Sequence, residues 1–280
     1  MVILAVSDIH IGYSQSNASL FNTFLRETKD RSDVDMLVIL GDFIDMWRRD
    51  VSGLFLENHE ILESLLALKQ KLALKQKMPV RYVVGNHDYH LLKLTRESYP
   101  FKFEPDLQYP TKDVNYVFKH GWEFDDEQQG PIKELLCDNL SDEAGQVRSD
   151  IWTWITSRSK DLKLIEEVIK QNSEKRFSFF NKNSERTKYF QRLFAPPKDR
   201  VSAAFNGVEK KAAKSVKEGE LLVFGHTHRP FVSTDKKLVN TGSWVSDEET
   251  YNTYVELDGK KIRLMRYGVG DITQAMTKTI

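Results

Sequence analysis

Five short polar clusters each end a hydrophobic run: Ser7-Asp8-Ile9-His10, Gly41-Asp42-Phe43-Ile44-Asp45, Gly85-Asn86-His87-Asp88, His120-Gly121 and Gly225-His226-Thr227-His228. Their side chains are carboxylates, imidazoles and a carboxamide, the mixed oxygen and nitrogen set that holds transition-metal ions. The chain has seven histidines, and five lie in these clusters; the others are His59 and His90. In an extended chain Asp8 and His10 share a face, as do His226 and His228 with Thr227 turned away. Asp42 has two oxygens, enough to bridge two ions. Asn86 offers a neutral oxygen, His87 an imidazole, and Asp88 a carboxylate that can orient it. Taken singly, each residue has a plainer reading. Asp42 and Asp45 can cap a turn. Asn86 can occupy a left-handed turn, and Asp88 can N-cap a helix from about Tyr89. His10 and His120 can be packed side chains. These plainer readings leave the joint pattern unexplained, and a metal site accounts for it.

The elements that must position these residues are short. Val2–Val6, Met36–Leu40, Val80–Val84, Tyr116–Phe118 and Leu221–Phe224 are apolar and end in Gly, Ser, Asp or a basic residue, as strands buried on both faces do. Helical periodicity covers Ala18–Lys29 and Leu54–Lys77. Alternating strand and helix predicts a layered α/β sheet. In such sheets ligands converge at the carboxyl ends of the strands. From about Asp125 to Ser215 the pattern changes to helix and polar loop, with helices expected near 130–139, 149–157, 162–171, 184–193 and 201–216. We read 1–124 and 218–280 as the core and 125–217 as a helical insertion, a cap beside the site. The insertion is acidic over Asp125–Ser157 and basic over Arg158–Arg200, with aromatics interleaved. It reads as a solvated helical face or as a surface for anions. Trp152 and Trp154 cannot both face inward on a helix. Phe231–Ser233, Lys237–Asn240, Tyr251–Leu257 and Lys261–Tyr267 read as a β-meander with a turn at Asp258-Gly259.

Composition narrows the partners. Lys+Arg and Asp+Glu are both 41, so no global charge favours nucleic acid or membrane. One cysteine, Cys137, precludes an intrachain disulfide and disfavours a thiolate site. No apolar run approaches the ~20 residues needed to span a bilayer. The start, MVILAVSDIH, reads as a strand and not as a signal peptide. A cytoplasmic location is expected.

The ordered set D-x-H, G-D-x-x-D, G-N-H-D, H and G-H-x-H resembles the calcineurin-like metallophosphoesterase superfamily, over about residues 1–124 and 218–268. The resemblance implies a four-layer α/β/β/α sandwich with two divalent transition-metal ions at the strand ends: manganese first, with iron, zinc, cobalt or nickel as alternatives. It implies that Asp8, His10, Asp42 and His228 hold one ion, that Asp42 bridges, and that Asn86, His120 and His226 complete the second site. It assigns His87 as proton donor to the leaving oxygen, with Asp88 orienting it and Asp45 behind the ligands. The implied reaction is phosphomonoester or phosphodiester hydrolysis by a metal-bridging hydroxide.

Within that superfamily, His120-Gly121-Trp122-Glu123-Phe124-Asp125 and Gly225-His226-Thr227-His228-Arg229-Pro230 are similar to the branch that includes UDP-2,3-diacylglucosamine pyrophosphohydrolase. That enzyme typically has Arg where this chain has His87. Pyrophosphohydrolysis of a nucleotide-linked lipid or sugar is therefore an alternative, and a non-catalytic scaffold a second. A DNA nuclease would need clustered basic residues outside the insertion. Asn240 and Arg229 are expected substrate contacts, against a hairpin turn and a surface Arg. The expected partner is a phosphorylated small molecule, with no sequence-specific nucleic acid and with peripheral membrane contact only through the cap. Oligomeric state is open.

Overall fold

The computed structural model describes residues 1–46, 51–75, 79–97, 99–124, 198–246 and 248–280. The helices expected within 130–193, the charge division there and Trp152/Trp154 lie outside the described residues.

β1 (Val2–Val6), β2 (Val34–Leu40) and β3 (Val80–Val83) are parallel neighbours, as the apolar runs predict. β4 (Phe103–Glu104) extends this side, while β10 (Thr253–Asp258), β11 (Lys261–Arg266) and β12 (Gly270–Asp271) extend the other. The order is β12-β11-β10-β1-β2-β3-β4. A second sheet, β13-β8-β9-β7-β6-β5, comprises β5 (Leu107–Pro110), β6 (Asn115–Phe118), β7 (Glu220–Phe224), β8 (Phe231–Ser233), β9 (Leu238–Asn240) and β13 (Thr277–Lys278).

Period-two alternation explains the layers. On β1, Leu4 and Val6 face one core, with Phe21, Phe24 and Leu25 of α1 (Ala18–Asp30) and Ile61, Leu65 and Leu68 of α2 (Val51–Leu72). Ile3 and Ala5 face another, shared with Phe118, Leu221 and Val223 of the second sheet. Leu222 and Phe224 then face a third core with Val208 and Ala212 of α3 (Lys198–Ser215). The result is helix, sheet, sheet, helix. Each buried Leu, Ile, Val or Phe contributes about 1.5–3 kcal/mol relative to exposure.

Four expectations shift in detail. The predicted 201–216 helix starts at Lys198, and it packs on the second sheet as the fourth layer. The expected meander is two hairpins in different sheets: β8 pairs β9, and β10 pairs β11. Thr241 and Ser243, which follow β9, are fully buried between the two hairpins in sequence. Asp258 pairs with Lys261, so the two turn residues are Gly259 and Lys260, one later than predicted. Gly259 has φ +57°, a left-handed conformation that suits glycine. The second helix begins at Val51, ends at Leu72 and is kinked at Asn58.

Candidate metal centre

The five clusters meet where parallel strands of both sheets end. Asp8, Asp42 and Asn86 follow β1, β2 and β3; His120 and His226 follow β6 and β7. The expected reason for convergence, alternation along an extended strand, does not hold. Asp8, His10, Asp42, His226 and His228 all have positive φ, between 50° and 67°. Each turns the backbone sharply, so neighbours two apart converge by left-handed twists. Asp and His tolerate this region better than most side chains, and such conformations concentrate at functional sites. Asn86, the residue read alternatively as left-handed, is not among them.

Hydrogen bonds fix the ligand atoms. The His226 amide donates to Asp8 Oδ2 at 2.8 Å, and Ser7 Oγ also donates to that oxygen. The His87 amide donates to Asp42 Oδ1 at 2.9 Å. Each carboxylate thus has one anchored oxygen and one facing the centre. Asp42 Oδ2 lies 3.3 Å from His120 Nε2 and 3.6 Å from His10 Nε2. Asp8 Oδ1 lies 3.4 Å from His228 Nε2. His120 Nδ1 donates to the Leu40 carbonyl at 2.6 Å, which leaves Nε2 inward. The His226 ring meets that of His120 edge to face, ring centroids 5.2 Å apart.

Glycines permit the close approach. A Cβ on Gly41 would come within 2.5 Å of the Gly85 nitrogen, and one on Gly85 would reach Asp42 N at 2.6 Å. Gly85→Ala must displace Asp42. We expect it to cost about 1–3 kcal/mol of stability and to weaken metal binding. Thermal unfolding with and without metal checks both, and unchanged metal affinity would refute the steric argument.

Two second-rank expectations need correction. Asp88 does not orient His87. Its oxygens accept from Tyr82 Oη at 2.6 Å, the Phe43 amide at 2.9 Å and the Gly85 amide at 2.7 Å. Nor does its side chain cap the short helical turn Tyr89–Lys93. Asp88 is a strut that joins the turns after β2 and β3. Asp45 holds His87 instead: Oδ1 meets His87 Nδ1 at 3.0 Å, and Oδ2 meets His10 Nδ1 at 2.9 Å. Asn240 is no substrate contact. It is fully buried, its Nδ2 donates to the Gly225 carbonyl at 2.8 Å and to Thr227 Oγ1 at 3.0 Å, and its Oδ1 accepts from the Gly242 amide at 2.8 Å. Arg229 faces Glu248, Asn206 and Phe205. Sequence reasoning missed the supports, Ser7, Thr241 and Tyr82. Ser7 beside Asp8 was the one available signal; Ser7 Oγ lies 2.6 Å from Thr241 Oγ1.

Charge in this buried cluster is held in a definite way. Burial alone would raise the Asp42 carboxyl, but the imidazoles of His120, His87 and His10 pull it far below the usual carboxylate range. Burial would likewise raise Asp8, and His120 and His228 pull it down. Burial works against a charged His120, yet Asp42 and Asp8 push it up to about 10. Burial lowers His87, and Asp45 and Asp42 restore it only in part. In the metal-free protein, protons on imidazoles therefore balance the carboxylates at neutral pH, and a cation must displace them. Because the His120 value is raised, this competition persists until pH passes about 10. Apparent metal affinity should rise by about tenfold per pH unit per proton displaced between pH 7 and 9. Calorimetry in buffers of different ionisation enthalpy measures the release; a zero slope would contradict it.

Three buried ligand-type atoms, Asp8 Oδ1, Asn86 Oδ1 and His120 Nε2, have no hydrogen-bond partner. Such groups are rare in folded proteins and costly. Asp8 Oδ1 and His120 Nε2 converge with Asp42, and three overlapping groups, Asp8/His10/His228, His10/Asp42/His87 and Asp8/Asp42/His120, have the spacing to hold a cation. The residues present fit two divalent ions.

A family model for calcineurin-like phosphoesterase matches residues 1–230. The chain belongs to this family. As a calcineurin-like phosphoesterase it is a metal-dependent phosphoester hydrolase; the family acts on phosphorylated small molecules and uses a dinuclear divalent metal site. No curated protein matches the chain. Among solved structures it is similar to an archaeal phosphodiesterase (10% identity, 95% of this chain and 99% of that one, TM-score 0.39). It is also similar to a dimetal phosphatase from Danio rerio (11%, 94% and 95%, TM-score 0.37). A third is a predicted phosphoesterase from Streptococcus pneumoniae (14%, 95% and 88%, TM-score 0.37). No described helix is long and apolar enough to cross a membrane.

Proposed function

We propose that this phosphoesterase hydrolyses phosphomonoesters or phosphodiesters, with His87 as the proton donor to the leaving oxygen. Asp8, His10, Asp42 and His228 would hold one ion, and Asp42, Asn86, His120 and His226 the other. Manganese is the first choice, since oxygen and imidazole donors suit it. The observation that carries this reading is the pair of orphaned atoms, Asp8 Oδ1 and His120 Nε2, gathered around Asp42. Two divalent ions, when bound, supply Lewis acidity toward phosphate oxygens and acidify water. The protein supplies the rest. Asp45 fixes the His10 and His87 rings through their Nδ1 atoms, so both Nε2 atoms turn to the centre. An arriving phosphate adds the negative charge that recharges the buried His87 imidazole, which then gives its proton to the departing alkoxide.

Residues 125–197 act as the cap that selects the leaving group, since α3 belongs to the sandwich. They lead into α3, whose Phe205 lies beside His226, ring centroids 6.4 Å apart. The low cysteine count, Cys137 alone, supports a cytoplasmic setting, which cell fractionation tests.

The deciding experiment is a panel of nucleotides, phosphodiesters, sugar phosphates and UDP-linked lipids, assayed with metal-loaded protein. Turnover of esters that is lost on chelation supports the reading. Exclusive cleavage of a UDP-linked diphosphate would favour the pyrophosphohydrolase alternative. Metal binding without turnover of any compound would favour a scaffold. The same panel on a chain lacking residues 126–196 tests the cap, and an unchanged substrate ranking would refute its role.

A further inference from the structure

The turn that carries His226 and His228 is strained. The Thr227 amide donates to the Gly225 carbonyl at 2.8 Å, which closes a three-residue ring with His226 at its apex. His226 has φ +67°, and His228, two residues on, has φ +57°. A γ-turn with a positive φ at its apex is rare, and a histidine there lacks the freedom of glycine. Such a conformation persists only where its surroundings over-determine it.

One buried carboxamide spans this turn. Asn240 Nδ2 donates to the Gly225 carbonyl at 2.8 Å and to Thr227 Oγ1 at 3.0 Å, so its hydrogens reach the first and the third residue of the ring. The Gly242 amide donates to Asn240 Oδ1 at 2.8 Å, which decides which end of the carboxamide carries those hydrogens. Asn240 and Thr227 are both fully buried. Asn240 ends β9 and pairs with Phe224, the last residue of β7, so the sheet itself sets its position. Beyond it, the Trp244 amide donates to the Asp8 carbonyl at 2.9 Å, and Thr241 Oγ1 lies 2.6 Å from Ser7 Oγ.

We propose that Asn240 is a positioning residue that staples this turn closed through Gly225 and Thr227, and thereby sets His226 for one ion and His228 for the other. The affinity of both ions then depends on one carboxamide that ligates neither. Ser7, by contrast, donates to Asp8 and acts on the first ion alone. This rests on the assignment of the two imidazoles to different ions given above.

Cobalt(II) titrated into metal-free protein tests it, with calorimetry for the two binding constants and visible absorption for the ligand geometry. Thr227→Val keeps the side-chain shape and removes the acceptor. It should weaken both ions by at least about tenfold, the lower end for groups that support metal ligands. Thr227→Ser keeps the hydroxyl and should keep both constants near those of the wild type. Asn240→Asp still accepts from the Gly242 amide but turns an oxygen on the Gly225 carbonyl, and should weaken both ions by up to about 100-fold. Ser7→Ala should weaken one ion only. The cobalt spectrum should shift in Thr227→Val and return in Thr227→Ser, which lost stability alone would not produce. Wild-type constants in Thr227→Val overturn the proposal, as do weakening of a single ion there, a Thr227→Ser loss as large as that of Thr227→Val, or equal weakening of both ions in Ser7→Ala. A wild type that takes up fewer than two ions overturns the two-ion reading and this proposal with it.

Discussion

Asp42→Asn abolishes phosphoester hydrolysis, by about 10³-fold or more, equivalent to at least about 4 kcal/mol of transition-state stabilisation. The substitution is nearly isosteric. The carboxamide oxygen it introduces can still accept from the His87 amide, as Asp42 Oδ1 does, so the turn after β2 keeps its shape. What disappears is the negative charge between the two groups of candidate ligands, where Asp42 Oδ2 lies 3.3 Å from His120 Nε2 and 3.6 Å from His10 Nε2. An amide holds a divalent cation far less well than a carboxylate. Metal content per chain should therefore fall with activity, while the circular dichroism spectrum stays that of the wild type. Elemental analysis and a chromogenic ester assay on the same preparation check both. Full metal occupancy together with normal turnover would remove Asp42 from the centre.

His87→Ala lowers kcat by roughly 10²–10⁴-fold for alkyl esters, the usual contribution of a positioned general acid. For a good leaving group such as p-nitrophenolate the loss is small, since the departing oxygen needs no proton. Metal content stays at the wild-type level. The comparison is decisive because His87 also belongs to a group, with His10 and Asp42, whose spacing can hold a cation. Metal loss in His87→Ala would make it a ligand, whereas loss confined to poor leaving groups makes it the acid.

Much of this was legible from the residues. β1, β2, β3, β6 and β7 are short apolar runs that end in polar clusters, and burial on both faces leaves that signature in any order of strands. Seven candidate ligand positions were readable because few other arrangements put Asp, Asn and His after so many strands. The hydrogen-bond partners were not readable. Asp45 and Asp88 are both carboxylates near His87, and only the tight turns at Gly41 and Gly85 decide that Asp45 faces the imidazoles while Asp88 faces Tyr82. The left-handed backbone at Asp8, His10, Asp42, His226 and His228 has no sequence mark, since the same residue types fit extended strands. Asn240 misled because a polar residue after a strand looks alike whether it meets solvent or braces the turn beneath it. β4, β12 and β13 have two residues each, too few to show any period.

The candidate ligands are divided between the sheets. Asp8, His10, Asp42 and Asn86 come from one, and His120, His226 and His228 from the other. The bonds from His120 to Leu40 and from the His226 amide to Asp8 cross the same gap. A centre built this way is a rivet as well as a reaction site, since a cation can be held only at one spacing of the two sheets. That spacing is set by Val38, Phe118 and Val223 in the core between them. Thinning this core at a distance from any ligand loosens the rivet, so metal affinity becomes a gauge of packing that no substrate ever touches. Conversely, the free metal concentration sets how firmly the two halves of the sandwich stay joined.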